Sequence, residues 1–149
     1  MKLVRFGNPG QEKPGIVDSD GRIRDLSAVV PDIAGDVLSA KSLERLRGLD
    51  LRGLPLVASD VRLGPCVGNV GNFLAVGLNY ADHAAESGMA VPDEPVVFNK
   101  WTSCICGPDD DIQIPRGSTK TDWEVELGIV IGDIARDVSE DEALAHVAG

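Results

Sequence analysis

The chain has 149 residues, with fourteen Lys and Arg against twenty-four Asp and Glu, a net charge of −10. Hydrophobic residues make up 43% and charged residues 26%, a globular balance that excludes wholesale disorder. So acidic a chain repels phosphate backbones and anionic lipid surfaces, which argues against nucleic-acid and membrane partners.

The N-terminus carries Lys2 and Arg5 but no apolar stretch of signal-peptide length, and no run approaches a membrane span. A cytoplasmic protein is expected. Three cysteines fit that compartment. Cys104 and Cys106 are too close for an ordinary disulfide, and all three are read as small, partly buried thiols.

In chain order, Lys2 to Phe6 alternates and reads as a strand. Ile16-Val17 and Arg22-Ile23-Arg24 flank Asp18-Ser19-Asp20-Gly21, a hairpin turn. Its two acids do not fit a calcium loop, which needs Gly at position six and Glu at twelve. Asp36 to Arg47 reads as one helix with Val37, Leu38, Leu43 and Leu46 near one face and Gly48 as cap. Asp50 to Gly71 is irregular. Residues 1–70 are thus read as a small β-rich unit with one helix, and 71–149 as the start of a second domain.

Asn72 to Leu78 has the apolar density of a buried strand. Tyr80 to Ser87 reads as a short helix stopping at Gly88, and Val96-Val97-Phe98 as another strand. Asp109-Asp110-Asp111 reads as a solvated turn, and Ile112-Gln113-Ile114 as a short strand. Glu124 to Ile131 is the clearest strand by alternation. Ser139-Glu140-Asp141-Glu142 is a capping box that opens a last helix, with Ala143, Leu144, Val147 and Ala148 on its apolar side. His146 in that helix is read as structural.

Two stretches can carry chemistry. If 124–131 is a strand, Val125, Leu127, Ile129 and Ile131 share one face, and Asp122, Glu124 and Glu126 the other. Adjacent acids on that face stand roughly 6.5–7 Å apart at Cα, within reach of one divalent cation. Oxygen-only donors suit Mg²⁺ or Mn²⁺, with Ca²⁺ as a further candidate. The same pattern is also that of a half-exposed strand with a solvated acidic face. In the second stretch, His83 and Glu86 are three apart on the helix. A carboxylate beside an imidazole raises its basicity, as a general base needs. An exposed helical ion pair has the same spacing.

Gly77-Leu78-Asn79-Tyr80-Ala81-Asp82-His83-Ala84-Ala85-Glu86, then Pro95-Val96-Val97-Phe98-Asn99-Lys100, then Asp122-Trp123-Glu124-Val125-Glu126-Leu127-Gly128 together resemble the fumarylacetoacetate hydrolase family. The resemblance covers residues 70–149, and more loosely the first unit. It implies an α+β, β-rich fold: a small N-terminal β-containing unit followed by the start of a mixed β-roll. It implies that Glu124 and Glu126 are metal ligands, that His83 and Glu86 form a water-activating dyad, and that Lys100 lies in the active site. Trp101 departs from the family, where proline is frequent. A third ligand, an Asp about thirty residues after the Glu pair, is expected beyond Gly149, so the chain reads as the front half of a member.

The implied activity is metal-dependent hydrolysis of a C–C bond in a 2,4-diketo acid, an acylpyruvate or a sugar-derived one, to pyruvate and a carboxylic acid. The motifs look closest to members acting on sugar-derived diketo acids or named ureidoglycolate lyases. The partner is then a small anionic 2-oxo acid, and a homodimer is expected for the complete protein. Two alternatives remain. One is an oxaloacetate decarboxylase or ureidoglycolate lyase on the same site. The other is a non-catalytic fragment or interface segment whose acidic face is merely solvated.

Overall fold

The computed structural model describes residues Met1–Gly149. They form two compact units, one made of Met1–Asn69 with Gly107–Gly149, the other of Val70–Cys106.

The first unit is built on an antiparallel meander. β1 (Leu3–Phe6) pairs with β2 (Lys13–Val17), and β2 with β3 (Ile23–Asp25). In register, Leu3 faces Ile16 and Ile16 faces Arg24. The turn between β2 and β3 forms as expected. Asp18 Oδ1 accepts the backbone N–H groups of Asp20 at 2.9 Å and Arg22 at 3.0 Å, and Gly21 takes φ +78°. Asp18 Oδ2 accepts from Arg24 Nε at 2.9 Å.

The helix expected over 36–47 divides at Ser39. A 3₁₀ turn spans Gly35–Leu38 and α1 spans Ala40–Arg47. Ser39 is extended, and its Oγ accepts from the Ser42 N–H, an N-cap that restarts the helix. Amphipathic spacing extends over both pieces because both bury the same face. Ile16, Leu26, Ile33, Leu38, Leu43 and Leu46 form the core, with Leu26 and Leu46 fully buried.

Residues 107–149 pack back on this core. A Cβ on Gly107 would collide with the Leu63 carbonyl oxygen, and one on Gly132 with that of Leu38. Asp133 Oδ2 accepts the first N–H of α1, from Ala40, at 2.9 Å. Val130 donates to the Gly149 carbonyl and accepts from the Ala148 N–H, both at 2.8 Å. The capping box forms, opening α3 (Glu140–Ala143), which ends in a 3₁₀ turn at Leu144–His146 rather than continuing. Leu144 is 80% exposed, so the expected apolar side reduces to half-buried Val147 and Ala148. His146 is half-buried, and its Nδ1 is enclosed without a hydrogen-bond partner.

Four expectations are corrected, three of them in this unit and one for cysteines that fall in both. Neither 112–114 nor 124–131 is a strand; Ile131 alone forms a bridge, to Val147. Alternation specifies a half-buried strand only where a neighbour takes its N–H and C=O groups and covers its apolar face. Here Val125 and Leu127 are 75% and 79% exposed. The 109–111 turn is not merely solvated, because Asp110 holds Arg62 through two hydrogen bonds of 2.6 Å. The cysteines are free but exposed, not partly buried.

The second unit pairs β4 (Phe73–Gly77) with β5 (Val96–Lys100), antiparallel, with α2 (Ala81–Glu86) between them in sequence. The strands form where expected, but Leu74 is 61% exposed, so apolar density here does not mean burial. No helix in the chain is long and apolar enough to cross a membrane.

Asp18 gives the first unit an acid-sensitive point. Burial would raise its carboxyl, but the Arg22 N–H, the Arg24 guanidinium and the Asp20 N–H outweigh burial and hold it at about 2, below the ordinary 3.8. A depressed carboxyl stabilises the fold above its ordinary value and loses that contribution as pH falls toward the depressed one. Thermal stability should therefore fall as pH drops from about 4 to about 2, and Asp18→Asn should flatten that part of the profile. An unchanged profile in the variant would assign acid sensitivity elsewhere.

Candidate functional site

The candidate residues fall in both units. His83, Glu86 and Lys100 belong to 70–106; Glu124 and Glu126 belong to the unit that contains 107–149.

In the smaller unit β4 ends at Gly77, and Leu78, Asn79 and the N-cap Tyr80 lead into α2. The Tyr80 side chain makes no cap bond. The C-terminus is better defined. Gly88 takes φ +67° and donates to Ala85 at 3.1 Å, while Met89 donates to Ala84 at 2.9 Å. These are the paired bonds of a Schellman motif, which requires a left-handed residue and therefore favours glycine. Ala84 is 1% exposed, whereas His83 and Glu86 on either side of it are exposed. The spacing of three thus places both on one short helix, as expected. Their side chains are free of an ion pair with each other, so the imidazole is open to another partner.

Lys100 closes β5 opposite Phe73. It shares a face with Phe98, two residues back, and its Nζ lies 6.0 Å from that ring's centroid. This is the outer limit of a cation–π contact. The ammonium is in no ion pair.

In the other unit Glu124 and Glu126 lie in an exposed stretch without regular structure, so the shared face expected of a strand is not formed. Neither carboxylate is held by a Lys or Arg. Carboxylate oxygens are the donor type that a hard divalent cation takes. No group of three or more His, Cys, Asp or Glu side chains gathers anywhere in the chain.

Sequence reasoning missed the ion network around Arg62. Its guanidinium binds Asp110, Glu12 at 3.1 Å and the Gly7 carbonyl at 2.9 Å. Asp110 sits below its ordinary pKa because of Arg62 and the Gly107 N–H. Nothing local marks these partners, since they stand 48 to 55 positions apart.

Comparison with known proteins identifies the family. The C-terminal domain of fumarylacetoacetate hydrolase, as a family, matches residues 72–149, a span that holds all five candidate residues. The chain belongs to the fumarylacetoacetate hydrolase family. It is 69% identical over all 149 residues to a protein of Burkholderia multivorans and 68% identical to one of Burkholderia ambifaria, both carrying provisional hydrolase names. It covers 53% of each, so the chain spans about half the length of these curated relatives. Among solved structures it is similar to a provisionally assigned HpcE protein from Mycobacterium smegmatis, with TM-score 0.78, 33% identity and coverage of 99% of this chain and 52% of that one. It is also similar to the fumarylacetoacetate hydrolase of psychrophilic Exiguobacterium antarcticum, with TM-score 0.71, 32% identity and the same coverage. The α+β fold is that of these neighbours.

The Schellman cap is testable without activity. Gly88→Ala must hold a side chain in the left-handed region, which is expected to cost roughly 1 kcal/mol. Hydrogen exchange at the Met89 amide should quicken. Unchanged exchange would mean that another contact ends α2.

Proposed function

We propose that the protein is a divalent-metal-dependent hydrolase that cleaves the C3–C4 bond of a 2,4-diketo acid, releasing pyruvate and a carboxylic acid. The observation that carries this reading is the family match over 72–149. It puts the His83–Glu86 helix, the Lys100 strand end and the Glu124–Glu126 pair in one family segment. The provisional hydrolase names of the relatives support the reaction class.

Glu124 and Glu126 would hold Mg²⁺ or Mn²⁺ with one further carboxylate. A bound divalent cation acts as a Lewis acid, polarising an oxygen and stabilising negative charge that develops beside it. The protein's own groups supply the rest. Lys100 would pair with the substrate carboxylate. His83 Nδ1 or Nε2 would take a proton from water, with Glu86 orienting the ring and stabilising the imidazolium. The water oxygen bonds to C4, the C3–C4 bond breaks, and the electron pair stays on C3. The His83 proton then goes to C3, which leaves the methyl group of pyruvate. An exposed imidazole with no competing ion pair suits such a shuttle.

Two results test the roles separately, in the protein at its full natural length. Glu124→Gln and Glu126→Gln each lose a charge and a strong oxygen donor, and each should abolish Mg²⁺- or Mn²⁺-dependent turnover. Unchanged metal titration in either variant would remove that residue from the ligand set. His83→Ala should lower turnover of a 2,4-diketo acid by roughly 10²–10⁴ with little change in KM. Loss of binding with turnover retained would make His83 a substrate contact. Retained decarboxylation of oxaloacetate in this variant, alongside lost hydrolysis, would separate the two chemistries, because decarboxylation needs no attacking water.

A further inference from the structure

Three residues other than glycine hold positive φ: Asn69 at 51°, Leu78 at 52° and Asp137 at 50°. Asn and Asp visit this region readily, because a short polar side chain bonds locally; leucine seldom does. Leu78 stands between the end of β4 at Gly77 and the α2 N-cap at Tyr80, five positions before His83. A left-handed residue there turns the chain sharply. Tyr80 makes no side-chain cap bond, so the entry into α2 is not fixed by capping. Leu78 is half-buried and borders a shallow groove whose lining is mixed, with Val76, Val91 and Pro95 beside Asn79, Asp93 and Glu94. Glycine reaches the same φ, but also many others.

We propose that Leu78 is a positioning residue: its left-handed backbone sets the direction in which α2 leaves β4 and so places His83 and Glu86. This rests on the reading of His83–Glu86 as the water-activating dyad. The residue touches no reacting atom and acts through the helix it aims.

The test uses Leu78→Asn, Leu78→Gly and Leu78→Val at full natural length. Hydrolysis of acetylpyruvate is followed with Mg²⁺, with His83→Ala in parallel. A backbone role makes kcat follow how well each residue holds the positive φ, not merely whether it can reach it. Asn should stay within about threefold of the parent. Gly, which permits the turn without fixing it, should fall several-fold. Val, whose β-branch disfavours it, should fall roughly tenfold to a hundredfold. KM should stay nearly constant throughout. The Ala84 amide, bonded to the Tyr80 carbonyl at 3.1 Å, should exchange faster in the Val variant.

An order that follows apolarity, with Val best and Asn worst, would overturn the proposal and make the side chain in the groove the determinant. So would a rise in KM with kcat retained, which would make Leu78 a substrate contact. If Leu78→Val does not fold, Asn decides: kcat kept supports the proposal, kcat lost overturns it. Full activity in His83→Ala would instead overturn the dyad reading, while an inactive His83→Ala beside equal kcat in all Leu78 variants would overturn this inference alone.

Discussion

The larger unit depends on where one guanidinium sits. Arg62 donates to both oxygens of Asp110, to Glu12 and to the Gly7 carbonyl, so one planar group joins the first strand turn to the segment that returns after residue 106. Glu12 extends the network to Arg5 at 3.7 Å, and Arg5 is bound by Asp32 through two hydrogen bonds of 2.7 and 3.2 Å. Burial alone would raise the Glu12 carboxyl. Its own backbone N–H, Arg62 and Arg5 bring it below its ordinary value instead. Such a network tolerates poorly the loss of one member, because the others stay half-buried without a counter-charge. Beside it, Gly107 lies against the Leu63 carbonyl, so the chain can approach only without a side chain.

Much of the local structure was legible in the residues. Asp18-Ser19-Asp20-Gly21 encodes its own turn, since the donors and acceptors lie within four positions. Ser139 and Glu142 do the same for α3, and Gly88 for the end of α2. What failed was whatever depends on distant partners. The alternation in 124–131 is strong, yet a strand also needs a neighbour, and no local pattern reports one. The Arg62–Asp110 pair was invisible for the same reason. Leu78 was opaque differently: its left-handed backbone contradicts its residue type, and such conflicts between local preference and structure gather at functional sites.

The candidate chemistry follows this division. The spacing of His83 and Glu86 is a helical property, and α2 delivers it within six residues. That of Glu124 and Glu126 was argued from a strand that this chain does not form, so for this pair the family match carries more weight than the geometry.

The acidic pair lies between two moorings. Asp110 is fastened by Arg62, and Val130 to Asp133 by Ala148, Gly149 and α1. Everything from 111 to 129 between them is exposed, and it includes Arg116 and Lys120. Exposed chain of this kind is where proteases cut first. A trypsin nick there leaves both new ends tied to the same core, so the cleaved chain would migrate as two pieces under denaturing conditions while eluting as one particle under native ones.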